Sequence, residues 1–150
     1  MHSKVPRITE LSLDIILRLK VENSLKLEKD HVVAIVQLMR TAVSQVEIQR
    51  LGCMVLGCAE MQHIVIESEG IETICNAMRE HKKVAKLQQW GCWALFNICK
   101  DSVEAKCIVL ESKGLECVLF AMETFPKHNE IQKLGAMALY SSCLAVPETI

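Results

Sequence analysis

A chain of 150 residues is long enough for one domain with a substantial core, and its net charge of -1 offers no clustered basic surface for nucleic acid. Hydrophobic residues make up 51% of it but aromatics only 4%. The core is therefore expected from Leu, Ile, Val, Ala, Met and Cys, and no apolar run is long enough to predict a transmembrane helix.

The first residues, Met1-His2-Ser3-Lys4-Val5-Pro6, lack an apolar signal region, so no secretory leader is expected. Pro6 breaks the start, and Thr9-Glu10-Leu11-Ser12 opens a helix over about 9–22, dense in Leu11, Leu13, Ile15, Ile16, Leu17 and Leu19. It reads as a stand-in for the last helix of a preceding repeat.

From there the chain repeats itself. Glu47-Ile48-Gln49-Arg50-Leu51-Gly52-Cys53-Met54-Val55-Leu56 recurs as Lys86-Leu87-Gln88-Gln89-Trp90-Gly91-Cys92-Trp93-Ala94-Leu95. It recurs again as Glu130-Ile131-Gln132-Lys133-Leu134-Gly135-Ala136-Met137-Ala138-Leu139. The glycines lie 39 and 44 residues apart, within the period of helical solenoid repeats. Gly70 and Gly114 each precede the next motif glycine by 21 residues, and the same count back from Gly52 reaches His31. Around those anchors Val32, Ile71 and Leu115 share a phase, as do Met39, Met78 and Met122.

Each unit reads as a short helix, a glycine corner, a middle helix, a charged loop and a long helix. In the first, Ser24 to Lys29 is the short helix. In the second, only 18 residues separate Gly52 from Gly70, so the short helix shrinks to Gln62–Glu67 or to a turn. After Gly70 the stripe Ile71, Ile74, Cys75, Met78 predicts the middle helix, and Arg79 to Lys83 the loop. The long helix then presents Leu87, Trp90, Ala94, Leu95 and Ile98 inward. Val103 to Lys113 gives the short helix of the third unit, carrying Cys107, Ile108 and Leu110. Gly114 makes the corner in a left-handed conformation. Gly52, Gly91 and Gly135 sit inside long helices, where glycine costs about 1 kcal/mol, so a close neighbour is expected at each.

These units predict one all-α domain over 1–150, a right-handed α-solenoid of about three repeats (24–60, 61–100 and 101–146) behind the leading helix. The chain can be a fragment of a longer protein. Apolar Leu139, Leu144 and Val146 ahead of Pro147, with the apolar leading helix, imply end faces able to self-associate.

The eight cysteines contain no Cys-x-x-Cys pair, and no histidine is spaced for zinc, so no metal and no cofactor is expected. They follow the repeat instead. Cys53 and Cys92 share a phase with Ala136, which is how a small buried hydrophobe is used. Buried free thiols point to a reducing compartment, cytoplasmic or nuclear. With no phosphate-cradling loop, nucleophile elbow or His-Glu-x-x-His, an enzyme is not expected.

Gly91-Cys92-Trp93-Ala94-Leu95-Phe96-Asn97-Ile98, followed by a Gly-hydrophobic corner, resembles the armadillo-repeat consensus, over about Ser24 to Leu144. Ala121-Met122-Glu123-Thr124-Phe125-Pro126 with Glu130 to Gly135 is similar to the armadillo regions of leucine-rich-repeat kinases, although the chain carries no kinase or leucine-rich segment. The resemblance implies a concave groove lined by the third helices and holding an extended peptide. In the nuclear-import adaptors of the family, a Trp and an Asn four residues later project into that groove, as Trp93 and Asn97 are placed to do. The matching pairs Met54/Cys58 and Met137/Ser141 depart from the pattern, which argues against import-signal binding and leaves general groove binding open.

Helical spacing alone sets Glu47, Arg50, Met54 and Cys58 along one outward stripe, with Lys86, Gln89, Trp93, Asn97 and Glu130, Lys133, Met137, Ser141 as its equivalents. The expected function is non-catalytic binding of a protein or extended peptide along this groove, with neither nucleic acid nor membrane as partner. The alternative is a structural or regulatory scaffold segment of a larger protein, working through end-to-end or intramolecular contacts.

Overall fold

The computed structural model describes residues 28–58, 60 and 62–143, which fold into eight helices with no strand among them. They are α1 (Lys29–Thr41), α2 (Val46–Cys58), α3 (Gln62–Glu67), α4 (Gly70–Glu80), α5 (Ala85–Cys99), α6 (Val103–Glu111), α7 (Gly114–Thr124) and α8 (Asn129–Cys143). The leading helix expected over about 9–22, and Leu144, Val146 and Pro147, lie outside the described residues.

Three helices carry the Gly-centred motif, and they pack side by side: α5 lies between α2 and α8. Each also packs on the helix before it, α2 on α1, α5 on α4 and α8 on α7. One chemical device joins those helix pairs. The last carbonyls of any helix have no partner within it. Gln49 Nε2 donates to Met39 O and Ala42 O at 3.0 and 2.8 Å, closing the end of α1. Gln88 does the same for Met78 O and His81 O at the end of α4, at 3.1 and 2.8 Å. Gln132 does so for Met122 O and Phe125 O at the end of α7, at 2.8 and 3.0 Å. Two of the three glutamines, Gln49 and Gln88, are almost wholly buried, yet no buried side-chain nitrogen or oxygen among the described residues lacks a partner.

The motif glycines have the close neighbours that their mid-helix positions predict. The neighbour is a methionine side chain of the preceding helix. A Cβ on Gly91 would fall 2.7 Å from both Cγ and Sδ of Met78, and one on Gly135 would fall 2.6 Å from Met122 Sδ. Gly52 meets Met39 in the same way. Apolar side chains from all three pairs then merge into one core, in which Ile48, Leu56, Ile71, Ile74, Leu87, Leu95, Ile98 and Ile131 are almost fully buried.

The corners differ from expectation. The left-handed residues are Glu69 (φ 66°) and Lys113 (φ 59°), each just before the glycine, and no glycine has positive φ. Gly70 and Gly114 are needed for room instead: a Cβ would meet Val65 Cγ1 at 2.6 Å and Val109 Cγ1 at 2.7 Å, respectively. At the third corner position His31 stands for glycine, and there α1 simply starts earlier. Glu28 N donates to His31 Nδ1 at 3.0 Å in a capping box, so Lys29 opens α1 rather than ending a short helix.

Smaller details follow from packing. α3 has the six-residue length that the short Gly52–Gly70 interval predicts. In α6, by contrast, Ala105, Lys106 and Val109 form the buried stripe, while Leu110 is exposed and Cys107 and Ile108 are half-buried. Arg79 and Glu80, expected in a loop, extend the last turn of α4.

Candidate peptide-binding surface

The side chains expected to point outward from α2, α5 and α8 divide into three groups. Lys86 and Lys133 are exposed, one on each of α5 and α8. Arg50, Met54 and Met137 are half-buried. Arg50 grips Glu47 with two bonds, Nη2 to Oε2 at 2.7 Å and Nε to Oε1 at 3.0 Å, and its Nη1 reaches Met54 Sδ at 3.4 Å. The bond from Arg50 holds the Glu47 carboxyl below the usual carboxylate range. That pairing fixes the guanidinium over the methionine and presents a flat charged plate beside an apolar one.

Gln89 and Ser141 depart from the outward stripe: both are buried, at 9% and 7% exposure. α5 is flanked by a helix on each side, so the edge of its stripe at Gln89 is covered. Ser141 is short enough to turn back on its own helix, donating to Ala138 O at 3.2 Å.

Trp93 and Asn97 share a face, as one helical turn dictates, but that face looks partly onto α2. The Trp93 ring lies over Gly57, where a Cβ would fall 2.5 Å from its Cζ3. Its other side meets Trp90 edge-on, with ring centroids 5.3 Å apart and planes at 88°. Asn97 Nδ2 donates to Gly57 O at 3.2 Å, and Gln62 Nε2 donates to Asn97 O at 3.1 Å. The last turn of α2 thus receives the bond that the family resemblance would direct to a peptide backbone. Both residues stay half-buried. Gly57, which makes this contact possible, lies outside the repeated motif, and only its place one turn beyond Cys53 hints at a close approach.

The third unit is the least covered. Cys53 and Cys92 are fully buried, but Ala136 at the same phase is exposed. Leu119 (45%), Phe120 (43%) and Tyr140 (69%) are exposed as well, on α7 and α8. The inner helices are covered by the unit that follows them, and none of the described residues plays that part for α8.

Burial pushes the Cys53 and Cys92 thiols up to about 12 and that of Cys99 up to about 11. Among the described residues, no three His, Cys, Asp or Glu side chains gather as a metal site, and no helix is long and apolar enough to cross a membrane. No family model matches the chain, and no curated protein or solved structure matches it either.

Proposed function

We propose that the chain is an armadillo-type α-solenoid, a non-catalytic module that binds an extended segment of another protein along α2, α5 and α8. The observation that carries this reading is the threefold recurrence of one packing unit. In each, a glutamine closes the preceding helix and a methionine fills the notch of a helix glycine. Units of this kind stack in register, and their stacked helices offer a continuous surface rather than a closed pocket. That surface mixes the cations of Lys86 and Lys133 with the apolar plates of Met54, Trp93 and Met137. Methionine adapts its shape to a ligand, and exposed charges steer a partner of complementary charge. Glu47 and Glu130 are exposed on the same stripe, so the partner implied is an extended peptide carrying charged and apolar residues, met in the cytoplasm or nucleus.

A second reading has its own observation. Trp93 and Asn97 are spent largely on Gly57, so the pair ties α5 to α2 and serves as scaffold. Exposed Leu119, Phe120 and Tyr140 then offer the contacts, end to end with another segment or with a second copy of the chain.

Selection from a random peptide library, followed by affinity measurement on surface variants, separates the two readings. Groove binding requires selected peptides to weaken about tenfold or more with Lys86→Glu plus Lys133→Glu and to keep their affinity with Leu119→Ser on α7. Peptides that lose affinity only with Leu119→Ser would transfer the function to the exposed apolar patch of the third unit.

A further inference from the structure

The repeat accounts for most of the cysteines as small core residues, but Cys75 and Cys117 are set apart by their neighbours. Cys75 projects from the fully buried side of α4, and Cys117, 7% exposed, projects from α7 toward it. Cys117 Sγ donates to the Cys75 backbone carbonyl oxygen at 3.8 Å. Gly114 gives the Cys75 sulfur its room, since a Cβ there would stand 3.3 Å from it. Over this pair lies Arg79. Its Nη1 donates to Cys117 Sγ at 3.3 Å and to Ser112 O at 3.1 Å, while Nη2 donates to Asn76 Oδ1 at 2.7 Å. Three acceptors therefore hold one guanidinium in place against one sulfur. The preceding unit has Thr73 at the phase of Cys117, so the arrangement belongs to the α4–α7 contact and is not a by-product of the repeat.

We propose that Cys117 and Cys75 form a peroxide-sensitive dithiol, with Cys117 as the attacking sulfur and Cys75 as the resolving one, whose disulfide clips α4 to α7. The Cys117 thiolate attacks one oxygen of hydrogen peroxide. An S–O bond forms, the O–O bond breaks, and the departing hydroxide takes up a proton to leave as water. Sulfur is oxidised by two electrons to a sulfenic acid, and the peroxide is reduced. The Cys75 sulfur then attacks Cys117 Sγ, forming the S–S bond and expelling hydroxide, which leaves as water with the Cys75 proton.

The electrostatics favour this division of labour. The neighbouring Cys75 thiol and the Arg79 guanidinium hold the Cys117 thiol below its ordinary range, whereas the Cys117 neighbour and burial push Cys75 up. The nucleophile is thus the sulfur beside the guanidinium, and the resolving thiol keeps its proton until it is needed. A covalent tie between consecutive units would stiffen the surface they build and couple binding to oxidant level.

The test is peroxide treatment of the reduced full chain, followed by non-reducing peptide mapping. The expected product joins the Cys75 and Cys117 peptides, and it forms faster than oxidation of the exposed Cys143. Cys75→Ser should leave Cys117 as a sulfenic acid trapped by a cyclic dione, and Cys117→Ser should leave Cys75 reduced. Arg79→Met, an exposed change that spares the core, should slow the reaction about tenfold. Oxidation at Cys143 with both Cys75 and Cys117 still reduced would overturn the proposal. So would an Arg79→Met rate equal to that of the parent chain, which decides the matter even where a serine variant fails to fold.

Discussion

Met78 occupies the space that a side chain on Gly91 would need, with its Cγ and Sδ each 2.7 Å from the place of the missing Cβ. Met78 is 1% exposed and cannot swing into solvent. Alanine at Gly91 would gain about 1 kcal/mol of helix propensity, but overpacking a filled core costs about 1–3 kcal/mol. The expected net effect of Gly91→Ala is a loss of about 1 kcal/mol in urea unfolding. In a Met78→Ala background the same change should become neutral or stabilising. Equal effects in the two backgrounds would show that the contact is not what keeps the glycine.

Gln88 has an equally specific task. Replacing it with Leu removes two bonds and strips buried Met78 O of its side-chain donor, while His81 O keeps its bond from Val84 N, at a cost of about 1–3 kcal/mol. Gln88→Glu should be worse near neutral pH, because a carboxylate cannot donate to Met78 O or His81 O. A protonated Glu can donate to one of them, so its folded-state pKa would be raised above the unfolded value of about 4.3. The stability of that variant should therefore be greatest below about pH 4 and fall as pH rises. Unfolding midpoints across pH check the sign, which the parent Gln88 should not share.

How far could this have been read without coordinates? The repeat was legible because identical phases recur, and the shortened α3 followed from the missing residues between Gly52 and Gly70. The corners were legible in place but not in mechanism. A glycine letter does not say whether it is needed for its own φ or for a neighbour's side chain, and here Glu69 and Lys113 take the left-handed turn. The glutamines were visible as repeated letters, yet nothing in a single helix reveals that their partners are carbonyls on the helix before. Helical phase alone also put Gln89 and Ser141 outside, because it does not register the flanking helices of α5 or the reach of a short hydroxyl. Exposed Ala136 makes the same point, since its phase is buried where a further unit follows.

The Trp93–Asn97 pair illustrates the consequence for experiment. Sequence spacing predicts that both can be removed with little effect on folding. Their contacts with Gly57 predict otherwise. Trp93→Ala should cost about 2–4 kcal/mol as a half-buried indole lost from a packed contact, and Asn97→Ala about 1 kcal/mol. A double variant that melts within a few degrees of the parent would return the pair to a pure ligand-binding role.

Thiol accessibility follows burial and charge together. Cys53, Cys92 and Cys99 are buried and their thiols raised to about 12, 12 and 11, so almost no thiolate exists at neutral pH. A charged alkylating reagent should label these three only after denaturation, while Cys143, which is exposed, reacts in the native chain. Rapid native labelling of Cys53 and Cys92 would contradict the packing of α2 against α5.

The central claim, that α2, α5 and α8 together receive an extended partner, is tested most directly by photo-crosslinking a library-selected peptide. A benzophenone side chain is placed in turn at Met54, Lys86 and Met137, and for comparison at Glu72 on α4 and at Leu119 on α7. The account predicts crosslinks at the first three positions, each to a different stretch of the peptide in linear order, and none at the other two. Crosslinks confined to Leu119, or shared with Glu72 in no linear order, would contradict it.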